Sequence, residues 1–365
     1  MVSLRVILCD MMNDASDPTA DGAAELARYA RQMRYAPFGE AGQRRLSQAR
    51  ALVCGCGALG SVIANTLVRS GLGFVRLVDR DFLELNNLQR QVLYDEADVA
   101  AGLPKAIAAT NKLRLINSQV TIEPIVTDVD FTNIEALTDG IDVIVDGTDN
   151  FETRMLLNDV AMKRRIPWVY GGCLGAEGQT MTIVPGETAC LRCLMNDTPP
   201  PGTTPTCDTA GILSPIVNII ASLQANEAIK IASGNIAAIS RQLTIIDTWD
   251  NRIRQVSLES LRTSGQCPAC KGEEYPWLAG ERASHSAILC GRNAVQLSPP
   301  ERATLSLERL AEKLSTVGRV TQNRYLVRAF IGEYVLTLFA DGRAIIGGTD
   351  DIATARTVYA KYVGV

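Results

Sequence analysis

Histidine is nearly absent from this chain: His285 is the only one among 365 residues. It lies far along the chain from the glycine-rich motif at residues 55–60. Histidine is the side chain that most often serves as a general base in enzymes. Its scarcity therefore argues against any mechanism that needs a histidine base at that motif.

The chain also lacks an excess of charge and a long uninterrupted apolar run. A formal net charge of −4 gives no reason to expect nucleic acid or an anionic membrane as a partner. The longest apolar stretch, residues 211–233, is interrupted by Pro215, Glu227 and Lys230. A membrane span needs about 20 nearly uninterrupted apolar residues, so we expect a buried helix here.

No export signal is recognisable at the N-terminus, because its apolar core is shorter than the roughly 7–15 residues that a signal peptide needs. Residues 10–22 are rich in Asp, Thr, Ser and Gly, and we expect residues 1–22 to be disordered or to precede the true start site. We therefore expect a cytoplasmic protein. In that compartment the ten cysteines would serve as metal ligands, a nucleophile and buried thiols rather than disulfides.

Strand and helix patterns alternate through the first half of the chain, which predicts an α/β fold with a doubly wound, Rossmann-like mixed sheet. We expect this domain to span residues 23–280 and to include both Cys-x-x-Cys pairs of the chain. Residues 284–365 contain strands that alternate apolar and polar residues, together with two helix patterns. They predict a small C-terminal α+β domain whose sheet has one solvated face.

A glycine-rich turn joins the first predicted strand to the next helix. Gly55, Gly57 and Gly60 have the spacing that lets a backbone approach phosphates at a helix N-terminus, and Ala58 lies between them. Asp79 ends the following strand, where its carboxylate can accept hydrogen bonds from a ribose hydroxyl. This strand–turn–helix–strand context predicts a nucleotide site, whereas the glycines alone would also fit a sheet without a ligand.

Two cations follow the turn. Arg90 lies in a polar run with Asn86, Asn87 and Gln89, which would make poor core, and Lys105 opens the next predicted helix. Either cation alone would be interpreted as a solvated surface charge. Because both flank the nucleotide turn, we assign them to a triphosphate, where they would offset charge on the leaving pyrophosphate.

Asp149 comes directly after a buried strand, at the edge where open α/β sheets bind their ligands. Mg²⁺ is usually held by one or two carboxylates together with phosphate oxygens, so a single aspartate suits it. Asp146 and Asp142 compete for this role, although their positions look internal to the strand or at its edge.

Two Cys-x-x-Cys pairs, Cys190 with Cys193 and Cys267 with Cys270, could together form a closed tetrahedral zinc site. A redox pair is the alternative, but such motifs begin a helix after a strand, and these pairs are predicted in loops. Cys207 follows a proline-rich loop. Two interpretations of Cys207 are equally open: it is a nucleophile that accepts an acyl group or sulfur, or it is an incidental thiol.

From about residue 28 to residue 272 the chain resembles the MoeB/ThiF/HesA family, the bacterial relatives of ubiquitin-activating enzymes. Several short motifs carry the resemblance: Arg28–Gln32, Gly55–Gly60, Asp79–Asp81, Asn87–Gln91, Pro104-Lys105, Thr148–Asn150, both cysteine pairs and Ser222–Lys230. The one departure is Ala58, where the family often has a third glycine. Since a methyl group is small, we expect ATP binding to tolerate it.

The resemblance implies an adenylyltransferase that moves AMP from ATP to the C-terminal glycine carboxylate of a ubiquitin-like sulfur-carrier protein ending in Gly-Gly. It implies ATP and Mg²⁺ at the site, zinc at the cysteines, and roles for Asp81 and Asn150 beside the nucleotide. It also implies a homodimer in which Arg31 reaches the ATP of the neighbouring subunit. In thiamine-type members the cysteine that matches Cys207 can join the carrier through sulfur.

Several alternatives stay open at this point. The carrier could belong to the thiamine or to the molybdopterin pathway, or the acceptor could be a different peptide or protein. The C-terminal domain could dock the carrier or a sulfur donor protein, or it could stabilise the fold or cover a dimer interface. A nicotinamide-dependent oxidoreductase is one rival class, but it leaves the cations and cysteine pairs unexplained. A non-catalytic scaffold is the other, but such partners usually lose the phosphate-facing residues that this chain keeps.

Overall fold

The computed structural model describes residues 26–198, 207–282, 286–289, 293–298 and 305–364. Two sheets organise these residues, and each sheet has a hydrophobic core of its own. We therefore refer to residues 26–282 as the N-terminal domain and to residues 286–364 as the C-terminal domain. The expectations for residues 1–22, for the proline-rich loop at 199–206 and for His285 lie outside the described residues.

The sheet of the N-terminal domain has eight strands. They are β1 (Arg50–Cys54), β2 (Phe74–Asp79), β3 (Thr121–Val126), β4 (Val143–Asp146), β5 (Trp168–Leu174), β6 (Glu177–Ile183), β7 (Gln242–Asp247) and β8 (Arg252–Ser257). Their order across the sheet is β3-β2-β1-β4-β5-β6-β7-β8. The first five strands pair in parallel, and β6, β7 and β8 continue the sheet in antiparallel pairs. The expected mixed, doubly wound sheet is thus confirmed.

Helices cover both faces of this sheet. They are α1 (Ala30–Met33), α2 (Gly39–Leu46), α3 (Ala58–Ser70), α4 (Glu96–Ala100), α5 (Lys105–Ile116), α6 (Ile134–Leu137), α7 (Phe151–Arg164), α8 (Leu191–Leu194), α9 (Cys207–Ala210), α10 (Ser214–Ala232) and α11 (Glu259–Ser264). One core cluster joins α3, α5 and α10 to the sheet, and a second joins α7 and the cysteine loops to its other face. Because both faces are covered, β1 and β4 are apolar almost throughout.

The strand order reverses beside β1. From β1 the chain crosses to β2 on one side, and after β3 it returns to β4 on the other side of β1. Open α/β sheets bind ligands in the crevice at the carboxyl ends of the strands where the order reverses. The topology therefore places the candidate site between the loops that follow β1, β2 and β4.

The apolar stretch at residues 211–233 folds as the buried helix α10, as expected from its polar interruptions. It packs against α3 and against β5 and β6. Among the residues described, no helix combines the length and the apolarity that crossing a membrane requires.

The C-terminal domain has an antiparallel sheet with two helices. Its elements are β9 (Ser286–Leu289), β10 (Ala294–Leu297), α12 (Leu307–Ser315), β11 (Arg319–Gln322), β12 (Leu326–Ile331), β13 (Tyr334–Phe339), β14 (Ala344–Gly347) and α13 (Ile352–Tyr362). The strand order is β11-β12-β13-β14-β10-β9. The sequence patterns predict every element from α12 onward but miss the hairpin of β9 and β10. Each of its strands has four residues, too few for an alternation to be recognised.

Candidate active site and metal centre

The glycine-rich turn is packed against the backbone that follows β4. Gly55 has a φ of +91°, a conformation that residues with side chains rarely adopt. A Cβ on Gly60 would lie 1.8 Å from the carbonyl oxygen of Gly55, and a Cβ on Gly147 would lie 2.6 Å from the same oxygen. Three glycines are therefore required for the turn and the end of β4 to come together.

Gly57 and Ala58 lie on the open side of this turn. A Cβ on Gly57 would meet Nε2 of Gln91 at 3.9 Å, which is an ordinary contact, so the protein itself does not demand a glycine there. Gly57 is the N-cap residue of α3, and Ala58 is its first residue. The free backbone N–H groups of this helix end favour an anion such as a phosphate.

Asp79 ties the glycine turn to the end of β2. One of its carboxylate oxygens accepts the backbone N–H of Cys56 at 2.6 Å, and the other accepts that of Asp81 at 2.6 Å. Each oxygen keeps a second lone pair that can accept a ribose hydroxyl. Burial raises the pKa of Asp79, and the charge of Lys105 opposes this effect.

Lys105 is buried, with 4% of its surface exposed, at the first position of α5. Its Nζ lies 3.1 Å from Oδ2 of Asp81, and its backbone N–H donates to the carbonyl oxygen of Asp81 at 2.9 Å. A buried ammonium of this kind needs a carboxylate partner. Asp81 thus holds the cation between the loops that follow β2 and precede α5.

The polar run after β2 divides into an inner and an outer part. Asn87 is 1% exposed; its Oδ1 accepts the N–H of Glu84 at 3.0 Å, and its Nδ2 donates to Oδ1 of Asn86 at 3.0 Å. Arg90 is half-buried and donates to the carbonyl oxygen of Asn86 at 3.0 Å, while Gln89 is exposed. Asn87 therefore shapes the loop, and the neighbouring side chains lie nearer its surface.

A buried ion pair shapes the turn that carries Asp149. Asp146 is fully buried, and its Oδ1 accepts the backbone N–H and the hydroxyl of Thr148 at 2.8 and 2.7 Å. Its Oδ2 lies 3.3 Å from Nε of Arg154, and Arg154 also donates to the carbonyl oxygen of Thr148 at 2.7 Å. With the turn held from inside, the carboxylate of Asp149 is exposed.

The competing aspartates have other tasks in the structure. The carboxylate of Asp146 is occupied by Arg154 and Thr148, and Asp142 accepts the backbone N–H of Arg50 at 2.8 Å where β4 begins. Asp142 therefore lies at the opposite end of β4 from the crevice. Asn150 caps α7, because its Oδ1 accepts the N–H of Thr153 at 2.8 Å.

Sequence reasoning missed Arg80 and Arg154. Nη1 of Arg80 lies 3.1 and 3.2 Å from the two carboxylate oxygens of Asp128. Although burial lowers the pKa of Arg80, the charges of Asp128, Asp81 and Asp149 raise it above its usual value. The signal for Arg154 was available, because it directly precedes three apolar residues of a buried helix and so needed an acidic partner.

Arg31 lies far from the glycine turn of its own chain. Its neighbours Arg28 and Gln32 donate to the carbonyl oxygens of Ile116 and Ser70, the last residues of α5 and α3. Those helices begin at the crevice, and α3 rises by about 18 Å along its length. The exposed Arg31 is therefore at the far ends of the helices whose first residues form the site.

Cys207 begins the short helix α9, and its side chain lies outside the described part of the structure. The chain that follows is fixed to the turn between β5 and β6. The N–H of Gly175 donates to the carbonyl oxygen of Gly211, and the N–H of Leu213 donates to that of Gly175, both at 2.9 Å.

The two cysteine pairs meet in one cluster. Their four sulfur atoms lie within 4.8 Å of one another, with separations of 3.9 Å between Cys190 and Cys193, 3.6 Å between Cys190 and Cys267, and 3.4 Å between Cys193 and Cys270. Cys190 is the N-cap of α8, so the first pair lies on a short helix rather than in the expected loop. The neighbouring thiols, Cys190 first and then Cys193, lower the pKa of Cys270.

Helix α7 connects this cluster to the turn of Asp149. It begins at Phe151, and its middle residue Asn158 accepts the backbone N–H of Leu191 at 2.8 Å. Asp159 accepts the backbone N–H of Trp277 at 3.0 Å. One helix thus supports both the crevice at its N-terminus and the cysteine loops along its side.

The family model that describes the ThiF family matches residues 29–269. The chain belongs to the ThiF family. The match includes the glycine turn, the Asp149 turn and three of the four clustered cysteines, and it ends before Cys270 and the C-terminal domain.

Two curated relatives are similar over different lengths. The sulfur carrier protein ThiS adenylyltransferase of Bacillus subtilis is 44% identical over 338 residues, which cover 92% of this chain and 99% of that protein. The SAMP-activating enzyme E1 of Haloferax volcanii is 39% identical over 248 residues, covering 68% of this chain and 90% of that protein. The first match necessarily includes most of the C-terminal domain.

A solved structure has the same fold. The crystal structure of E. coli MccB with ATP superposes with a TM-score of 0.57 at 24% sequence identity, covering 67% of this chain and 73% of that chain. At this level of identity the likeness establishes the fold alone.

The two faces of the glycine turn predict effects of different size when a methyl group is added. Gly60→Ala places a Cβ against the carbonyl oxygen of Gly55, and we expect it to lower the free energy of unfolding by about 3 kcal/mol. Gly57→Ala adds a methyl group in open space and should cost less than about 1 kcal/mol. Chemical denaturation of both variants measures the difference, and equal stabilities would contradict the packing described here.

Proposed function

We propose that this protein adenylylates the C-terminal glycine carboxylate of a ubiquitin-like sulfur-carrier protein, using ATP and releasing pyrophosphate. One observation carries the proposal: the N-terminus of α3, the buried Lys105 and the exposed Asp149 all follow strands at the carboxyl edge of the sheet. This combination suits a triphosphate with its magnesium ion. Membership of the ThiF family and the names of both curated relatives support it.

The reaction needs no general base. A chain-terminal carboxyl group has a pKa of about 3.5, so at neutral pH it is already a nucleophilic carboxylate. The enzyme has to align that carboxylate with the α-phosphorus of ATP and stabilise negative charge on the leaving pyrophosphate. A chain with a single histidine can perform this chemistry.

We assign the residues as follows. The helix end at Gly57 and Ala58 binds phosphate oxygens, Asp79 accepts the ribose hydroxyls, and Lys105 and Arg90 stabilise the triphosphate and the leaving pyrophosphate. Asp149 is the proposed ligand of Mg²⁺, because its carboxylate is exposed at the crevice. When bound, Mg²⁺ neutralises charge on the phosphates and polarises them. The remaining proposed nucleotide-binding residues are Gly55, Gly60, Asp81, Asn86, Asn87, Gln89 and Asn150.

The thiamine-pathway carrier is the acceptor that we favour. The Bacillus subtilis relative, named for ThiS, matches almost the whole chain, including most of the C-terminal domain. With such a carrier, the thiol of Cys207 would attack the carrier's acyl adenylate, forming a thioester as AMP and the thiol proton leave. The molybdopterin-pathway carrier and a different peptide or protein acceptor are outcomes that the first experiment distinguishes.

We propose structural zinc at the cysteine cluster. A tetrahedral zinc ion with Zn–S distances of about 2.3 Å places its sulfur ligands about 3.8 Å apart. Separations of 3.9, 3.6 and 3.4 Å join Cys190 to Cys193, Cys190 to Cys267 and Cys193 to Cys270, which is close to that spacing. All four sulfur atoms lie within 4.8 Å of one another. With four protein ligands the site would be closed, and its role would be to hold two distant loops together.

ATP–pyrophosphate exchange in the presence of each Gly-Gly-ending carrier tests the proposed reaction. We expect exchange that depends on the thiamine-pathway carrier. Asp149→Asn should lower the exchange rate about 100-fold or more, because it removes the charge that holds Mg²⁺. Asp142→Asn, at the other end of β4, is the matched control and should keep the wild-type rate. Tight ATP binding without exchange for any carrier would point to a different acceptor.

We also propose a homodimer. The family resemblance implies that Arg31 contacts ATP, but Arg31 lies at the far end of α3 from the nucleotide turn of its own chain. A second chain would have to supply it. Dimers that combine one Arg31→Ala chain with one Asp149→Ala chain should regain about half of the wild-type exchange rate, since one of the two sites is then intact. Each variant alone should be inactive. Mixed dimers that stay as inactive as both parents would rule out this arrangement.

Metal analysis tests the cysteine cluster. Protein purified without chelator should contain about one zinc ion per chain by inductively coupled plasma mass spectrometry. Cys193→Ser should lose the metal and lower the midpoint of thermal unfolding, because zinc binding contributes folding free energy. Cys173→Ser, a half-buried cysteine outside the cluster, should keep both. Wild-type protein without zinc would contradict the assignment.

A further inference from the structure

The C-terminal domain contacts the loops that carry the proposed ATP-binding residues. The family model ends at residue 269, so this domain is an addition to the part of the chain that defines the family. Its contacts nevertheless fall on the loop after β2, the loop after β3 and the turn before α5. All three are at the carboxyl edge of the N-terminal sheet or border the residues that form the crevice.

The first contact reaches Arg80. Gln296 on β10 is 3% exposed, and its strand neighbours Val295 and Leu297 belong to the core of the C-terminal domain. Successive side chains of a strand point to opposite faces, so Gln296 points away from that core. Its Nε2 donates to Oδ2 of Asp128 at 2.7 Å, and Asp128 holds the guanidinium of Arg80.

The second contact holds the turn before Lys105. Nδ2 of Asn323 donates to the carbonyl oxygen of Gly102 at 2.9 Å. Oδ1 of the same side chain accepts the backbone N–H groups of Tyr325 and Leu326 at 2.8 and 3.1 Å, which orients the amide. Gly102 has a φ of +59° and lies three residues before Lys105.

The third contact braces the loop after β2. The guanidinium of Arg328 lies 4.4 Å from the centre of the Phe82 ring, and its Nη2 lies 3.9 Å from Oε1 of Glu84. Between these contacts lies an open cleft of about 670 Å³ between the two domains, which Leu85 and Asn86 also line. The C-terminal domain therefore holds the loop at its base and leaves Leu85 and Asn86 facing open space.

We propose that Gln296, Asn323 and Arg328 are positioning residues, through which the C-terminal domain fixes the ATP-binding loops of the N-terminal domain. Gln296 acts on Arg80 through Asp128, Asn323 acts on the turn of Lys105, and Arg328 acts on the loop that leads to Arg90. The inference rests on the proposed ATP site. It assigns the added domain a function in binding ATP, apart from any docking of the carrier.

ATP affinity measured without the carrier, by isothermal titration calorimetry with Mg²⁺, tests this inference separately from the reaction. Gln296→Ala and Asn323→Ala should each weaken ATP binding about tenfold, the effect of losing one hydrogen bond that orders a charged site. In exchange assays the KM for ATP should rise while the KM for the carrier stays unchanged. Arg324→Ala is the matched control, because Arg324 is exposed and lies over Tyr325 of its own domain.

Thermal unfolding of each variant separates positioning from general damage. Weaker ATP binding at an unchanged unfolding midpoint, with Arg324→Ala like the wild type, supports the inference. Wild-type ATP affinity in both variants overturns it and leaves the proposed function standing. A rise in the KM for the carrier alone also overturns it, since the domain then acts on the acceptor. Wild-type protein that binds no ATP overturns the proposed function together with this inference.

Discussion

The close approach of the glycine turn to the end of β4 is the constraint on which the candidate site depends. Cys54 pairs with Asp146 across the sheet, so the next residues along each strand, Gly55 and Gly147, meet with no room for a side chain. Gly60 brings α3 into the same contact. The N-terminus of the helix therefore opens beside the turn that carries Asp149, and a phosphate and a magnesium ligand can share one crevice.

Buried and half-buried charge pairs complete that crevice. Lys105 is paired with Asp81, Arg80 with Asp128, and Arg154 with Asp146. Removing two charges from water costs about as much as their attraction gains, so such pairs add little stability. Their presence is better explained by the side chains and loops that they hold in position. Cations that are already ordered and partly dehydrated lose little entropy and little hydration when a triphosphate binds. Charges arranged in advance in this way can stabilise a transition state without reorganising.

Two supports outside the crevice hold these pairs in place. Helix α7 runs from the Asp149 turn to the cysteine loops, so a metal at the cluster would stiffen the helix along its side. From another direction Gln296 and Asn323 contact the loops of Arg80 and Lys105. A family core common to many relatives is thus braced by a domain that the family model does not include.

The sequence by itself determined the order of strands and helices, the glycine turn and the paired cysteines. Each of these depends on a local pattern: the periodicity of apolar residues, the spacing of glycines and the spacing of metal ligands. It favoured Asp149 over Asp146 without showing what Asp146 does, and it did not identify Arg80, since an aspartate or arginine looks the same in sequence whether it is solvated or paired. The β9–β10 hairpin was too short to show a pattern. Only the tertiary structure decided which charges meet, because their partners lie on other strands and, for Gln296, on another domain.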